Sequence, residues 1–176
     1  YDWILIDTEH SPTDVLDALG QLQAAAAYPS THAIVRPADN DEVLIKRILD
    51  CGAQTLLIPM INTAEEARKA VSYITYPPHG VRGVAGLTRA GRFGRIANYI
   101  NVAQQELCLL LQIETVEGLK NLEAIANTAG VDGVFIGPAD LSASMGFPGQ
   151  LGHPEVKAAI ADAIKRIRAC GKAAGI

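Results

Sequence analysis

Short apolar runs alternate with stretches of helical periodicity along the whole chain, a pattern that predicts βα units around a parallel sheet. The first run, Trp3-Ile4-Leu5-Ile6, ends in the polar cluster Asp7-Thr8-Glu9-His10. A helix is predicted from about Thr13, with Val15, Leu16, Leu19 and Leu22 as its buried stripe and Tyr28-Pro29-Ser30 as its end. Ala33-Ile34-Val35 is the second strand, closed by Arg36-Pro37. Val43, Leu44, Ile48 and Leu49 then mark a helix that stops at Gly52. Leu56-Leu57-Ile58-Pro59 is the third strand. Thr63 and Glu66 have capping-box spacing, and Ala67, Ala70, Val71 and Ile74 carry the next helix to Pro77-Pro78.

Between Gly80 and Arg95 the rhythm fails. Glycines alternate there with Arg82, Arg89, Arg92 and Arg95, which predicts a short strand and a long functional loop. Leu107 to Ile113 is a strand of the kind buried on both faces, ending in Gln112-Ile113-Glu114-Thr115. Leu119, Leu122 and Ile125 form a helical stripe, and the strand Gly133 to Ile136 leads into Gly137-Pro138-Ala139-Asp140-Leu141-Ser142. Pro154 suits a first helical turn, Val156, Ile160, Ala163, Ile164 and Ile167 continue that helix to Gly171, and Lys172 to Ile176 reads as the start of another strand.

That makes six or seven strands, each followed by a helix or loop. An open doubly wound sheet would show Gly-x-Gly-x-x-Gly after its first strand, and this chain has none there. A closed barrel takes about 250 residues. The 176 residues are therefore expected to be a single α/β domain over 1–176, a (β/α)₈ TIM barrel incomplete at both ends. The first strand in front and the C-terminal helix behind are expected to be missing.

Composition narrows the function. With 49% hydrophobic and 19% charged residues the chain can bury a core. Its 15 Lys plus Arg face 19 Asp plus Glu, so a basic surface of the kind nucleic acid requires is not expected. No apolar run approaches the roughly 18 residues that cross a bilayer, and no basic-then-apolar leader opens the chain, so no membrane partner is expected. Cys51, Cys108 and Cys170 are an odd number without Cys-x-x-Cys spacing, which encodes neither a disulfide framework nor a thiolate zinc site. A cytoplasmic protein acting on a small molecule is the expectation.

Four strand ends carry chemistry in place of ordinary turn residues: Asp7, Glu9 and His10; Arg36; Gln112 and Glu114; and Asp140. In a parallel barrel these ends face one mouth. Each has a plainer reading alone: Glu9 or Asp140 as a helix N-terminal carboxylate, His10 as a loop histidine, Arg36 as an ion-pair partner. Together they point to a site. Glu114 and Asp140, with the neutral Gln112 amide, make an oxygen-rich donor set suited to Mg²⁺ or Mn²⁺, with Co²⁺ also admissible. Arg36 supplies a donor fork for an oxyanion or carboxylate, and His10 is the acid/base candidate, with Asp7 and Glu9 as supports.

The runs YDWILIDTEHSP, IVRP, TLLIPM, YPPHGVRGV, LLLQIET and VDGVFIGPADLSASMG, in that order, resemble the HpcH/HpaI aldolase family. Within it they come close to the 4-hydroxy-2-oxoheptanedioate and 2-keto-3-deoxy-sugar-acid aldolases. The resemblance covers nearly the whole chain. It implies a metal-dependent class II aldolase on a (β/α)₈ barrel, assembled as hexamers that exchange a C-terminal helix. Such an enzyme reversibly cleaves 4-hydroxy-2-oxo acids to pyruvate, or a close 2-oxo acid such as hydroxypyruvate, and an aldehyde, in aromatic or sugar-acid catabolism. It further implies that Glu114 and Asp140 bind the metal and that Arg36 contacts the pyruvyl oxygen. His10 moves the proton with help from Asp50, while Gln112 and the backbone around Gly137, Pro138 and Ala139 line the pyruvate pocket.

Where the family often has Gly, this chain has Thr8, whose side chain is expected to narrow the mouth. No lysine falls at a strand's carboxyl end, which agrees with chemistry that needs no Schiff base. Two other readings stand beside this one. A CoA-ester lyase of the same superfamily would use the arginines of 80–95 for phosphate, and a non-catalytic oligomeric barrel would need none of these groups.

Overall fold

The computed structural model describes residues 1–176, which form six parallel strands and eight α-helices. They fall into two compact units, Tyr1–Leu57 with Ala70–Cys108, and Ile58–Lys69 with Leu109–Ile176. The chain is thus α/β, with the strands of each unit paired in sequence order.

In the first unit β1 (Trp3–Asp7), α1 (Val15–Ala25), β2 (His32–Arg36) and α2 (Glu42–Asp50) follow one another, and β3 (Thr55–Ile58) lies in it up to Leu57. The register of β1 on β2 runs from Trp3 opposite His32 to Asp7 opposite Arg36, so the last residues of the two strands are neighbours. Asp14 caps α1 through the amides of Leu16 and Asp17, with Asp17 answering to the Asp14 amide, and Asp41 caps α2. Two helix faces differ from expectation. Leu16 and Val43 are 74% and 51% exposed, while Ala18, Ile45, Ile48 and Leu49 are buried. The α1 face is set by Ala18 and Leu22 four residues apart, and an alanine is too small to stand out in a stripe of large apolar residues. α2 ends in Gly52 at φ +95°, a left-handed residue that lets the chain turn back into β3.

α3 (Ala64–Ile74) begins with the expected reciprocal cap: Thr63 N donates to Glu66 Oε2 at 3.0 Å and Glu66 N to Thr63 Oγ1 at 3.2 Å. The short strand expected after Gly80 does not form. The backbone there bonds to loops and helix ends, as in Val81 N to Ser72 O, Arg82 N to Thr75 O and Ala90 N to Asp50 O, so no strand partner is left. Arg92, Phe93, Gly94 and Asn98 have positive φ, which also excludes an extended run. The segment ends in the single turn α4 (Tyr99–Val102) and a 3₁₀ turn at Ala103–Glu106.

The second unit carries β4 (Cys108–Ile113), α5 (Val116–Lys120), α6 (Leu122–Ala126), β5 (Gly133–Ile136), α7 (Pro138–Ser144), α8 (Pro154–Ala169) and β6 (Ala173–Gly175). The stripe expected as one helix is broken between α5 and α6 at Asn121, whose side chain donates to Asn62 O at 2.7 Å. α8 buries Val156, Ala163 and Ile167. Leu109, Leu111, Ile113, Val134 and Ile136 are all 1% exposed or less, as strands covered on both faces require. No helix is long and apolar enough to cross a membrane.

Candidate active site

At the carboxyl ends of β1 and β2 the parallel register brings a carboxylate and a guanidinium together. Arg36 Nε and Nη2 donate to Asp7 Oδ1 and Oδ2 at 2.9 and 2.6 Å, a two-point fork, and Nη1 lies 3.1 Å from Glu9 Oε2. These bonds hold the Asp7 carboxyl below its ordinary range. His10 Nε2 stands 3.8 Å from the same Glu9 oxygen on a 62% exposed side chain. Asp7, Glu9, His10 and Arg36 therefore form one cluster. At Thr8 both N and Oγ1 donate to the Arg36 carbonyl, at 3.0 and 2.8 Å. The hydroxyl is spent on tying β1 to β2.

In the second unit the ends of β4 and β5 meet in a tighter arrangement. Glu114 is 2% exposed; its Oε1 accepts from Met60 N at 2.9 Å and its Oε2 from Gln112 Nε2 at 2.5 Å. No cationic side chain pairs with it. A buried carboxylate in that condition lacks a counter-charge, and a bound cation would provide one. Gly137 leaves the room, because a Cβ there would collide with the Glu114 carboxylate and stand 3.0 Å from Gln112 Nε2. Its amide bonds to Ile113 O at 3.0 Å, which starts α7 directly against these side chains. Pro138 and Ala139 open that helix, and Asp140 is half-buried in its first turn. No group of three or more His, Cys, Asp or Glu side chains gathers anywhere to hold a metal. A divalent ion held by fewer than three such side chains would keep waters or substrate oxygens as its other ligands.

The model of the HpcH/HpaI aldolase/citrate lyase family matches residues 1–176. The chain belongs to this family. A pyruvate aldolase of Rhizobium etli is 66% identical over 176 residues, 100% of this chain and 69% of that protein. A hydroxypyruvate/pyruvate aldolase of Pseudomonas aeruginosa is 58% identical over 179 residues, 100% of this chain and 66% of that one. The crystal structure of an HpcH/HpaI aldolase/citrate lyase family protein from Burkholderia cenocepacia matches with a TM-score of 0.96 at 41% identity, over 100% of this chain and 70% of that one. The chain thus spans about two thirds of the length of the relatives it matches. The aldolase expected from the motifs, a carbon–carbon lyase, is borne out by this membership.

In this HpcH/HpaI family member Asp50 is placed apart from His10. It is the last residue of α2, which starts beyond the carboxyl end of β2 and runs back for nine residues, about 13 Å, toward the start of β3. Asp50 there meets Arg82, not an imidazole, with Arg82 Nη2 donating to Oδ1 at 3.1 Å. The same strand-start end holds a cavity of about 790 Å³ lined by Tyr28, His32, Gln54, Arg89, Phe93 and Tyr99 among others. It lies at the wrong end of the strands for the Asp7, Glu9, His10 and Arg36 cluster. Sequence reading also missed the Met60 amide. Met60 has φ 55°, an uncommon left-handed value for a side chain of this kind, and its position just past β3 and the Ile-Pro-Met run were the only hints. The Asn62 side chain, which accepts a bond from Thr115, was missed as well.

Proposed function

We propose that the chain carries the catalytic residues of a class II aldolase that reversibly cleaves a 4-hydroxy-2-oxo acid to pyruvate, or hydroxypyruvate, and an aldehyde. The observation that carries this reading is the buried Glu114 carboxylate with no cationic partner, cradled by Gly137. Glu114 and Asp140 would hold a divalent ion, Mg²⁺ or Mn²⁺. When bound, the ion supplies positive charge that draws electrons from the keto group of the substrate. Gln112 and the backbone around Gly137, Pro138 and Ala139 line the pyruvate pocket. Arg36, held by Asp7 and Glu9, donates to the keto oxygen as negative charge develops there. His10 takes the C4 hydroxyl proton, the C4–O pair becomes the aldehyde carbonyl, and the C3–C4 bond breaks with its electrons passing through C2 to the keto oxygen. Protonation at C3 completes pyruvate. Glu9 Oε2 lies 3.8 Å from His10 Nε2, beside the ring that carries the proton between these steps.

The resemblance makes the full-length protein one cytoplasmic (β/α)₈ barrel domain assembled as a hexamer. Asp50 lies at the far end of α2 from the strand ends that carry His10, and in that assembly its proposed help goes to the imidazole of a neighbouring copy. The CoA-ester reading is the weaker one, because two arginines of the 80–95 segment are engaged inside the protein. Arg82 is fully buried on Asp50, and Arg89 Nη1 donates to Cys51 O at 2.8 Å. The test is pyruvate release, coupled to lactate dehydrogenase, over a panel of 4-hydroxy-2-oxo acids with and without chelator. Activity should vanish with chelator and return with Mg²⁺ or Mn²⁺. Chelator-resistant turnover, or borohydride trapping of pyruvate on a lysine, would overturn the reading.

A further inference from the structure

Arg82 is 0% exposed, a rare state for a guanidinium. Its Nη2 meets Asp50 Oδ1 at 3.1 Å, its Cζ lies 4.4 Å from the centre of the Tyr76 ring, and its Nε and Nη1 find no acceptor at all. A buried cation with two unsatisfied nitrogens is an expensive way to fasten a loop, since an apolar side chain of similar volume there is often neutral or stabilising by comparison. The fastening is done by other bonds: Ala90 N to Asp50 O at 3.3 Å, Arg89 Nη1 to Cys51 O at 2.8 Å, and Arg82 N to Thr75 O at 2.9 Å.

What only the Arg82 side chain does is hold the carboxylate. Asp50 is 24% exposed, its Oδ1 is taken from inside by Arg82, and its Oδ2 makes no hydrogen bond. The carboxylate is therefore fixed by one oxygen, and the other is left without a hydrogen bond on a partly exposed side chain. The Tyr76 ring under the guanidinium limits how far the fork can swing.

We infer that Arg82 is a positioning residue for the aldol reaction, holding Asp50 so that Oδ2 is presented to the acid/base imidazole. This rests on the proposed role of Asp50. Misorienting a group that orients a catalytic base is felt in turnover rather than in substrate capture.

The test is a double-mutant cycle on the metal-loaded enzyme, with kcat and KM read from pyruvate release and folding followed by thermal melting. Asp50→Asn should lower kcat by about 10- to 100-fold and Arg82→Met by about 10-fold, each with KM within about twofold of wild type. In the Asp50→Asn background Arg82→Met should cause no further loss of kcat. Arg82→Lys keeps the charge and guards against a failure of the Met variant to fold; it should recover part of the kcat. An equal loss from Arg82→Met in both backgrounds would overturn the inference, as would wild-type kcat in the Arg82 variants when Asp50→Asn is impaired. Wild-type kcat in Asp50→Asn would overturn it too, and would show that the fault lies in the role given to Asp50.

Discussion

A guanidinium gripped on two edges by Asp7 and on a third nitrogen by Glu9 is a charge with a fixed direction, and that is what a lysine at position 36 could not reproduce. Arg36→Lys is expected to lose roughly 2 to 4 kcal/mol of transition-state stabilisation, measured as the fall in kcat/KM for cleavage. Exchange of the pyruvate C3 protons should slow in parallel. Unchanged exchange would move Arg36 from catalysis to structure. Most of the Asp7–Arg36 cluster was legible, because the two residues end consecutive strands of a parallel pair; in the other unit Gln112 interrupts an otherwise apolar strand and Glu114 follows its end. Arg82 was not legible. An arginine in a glycine-rich loop reads as a solvated charge, and only the packing of that loop on Tyr76 and Asp50 takes it out of water. The Met60 amide escaped for a related reason, since sequence reports side chains and this contact is made by a backbone turned left-handed.

Helices and strands were read more surely than their faces, since apolar spacing fixes an element's type while the face it buries is settled by neighbours. α6 and α8 illustrate what joins elements once placed. Arg166 of α8 donates from Nε and Nη2 to the two carboxylate oxygens of Glu123 at 2.6 Å each, and these bonds pull the Glu123 carboxyl down to about 2. A carboxylate whose value falls below the ordinary one, near 4.3, contributes its stability above that pH and loses it as pH falls toward about 2. Glu123 is half exposed, so screening keeps the contribution below about 1 kcal/mol. Urea midpoints of wild type and Glu123→Gln should differ at pH 7 and converge as pH approaches 2. A gap that stays constant across that range would mean the substitution acts through packing.

At the scale of the whole molecule, the proposed help of Asp50 to the His10 of a neighbouring copy can be tested by mixing variants. Neither His10→Ala nor Asp50→Asn chains should turn over well alone, yet oligomers re-formed from an equal mixture should regain part of the wild-type rate, because some sites then pair an intact His10 with an intact Asp50 from another chain. Additive rates from the mixture, with no gain, would place the Asp50 effect within one copy. The division into units has a further bearing, on how such genes can be recombined. One unit joins 1–57 to 70–108 and the other joins 58–69 to 109–176, so any single crossover between two related genes leaves at least one unit with segments from both parents. A crossover after residue 108 would set the Asn62 loop of one parent against Thr115 and Asn121 of the other, and shuffled libraries should therefore be richest in folded survivors where the parents agree at those three positions.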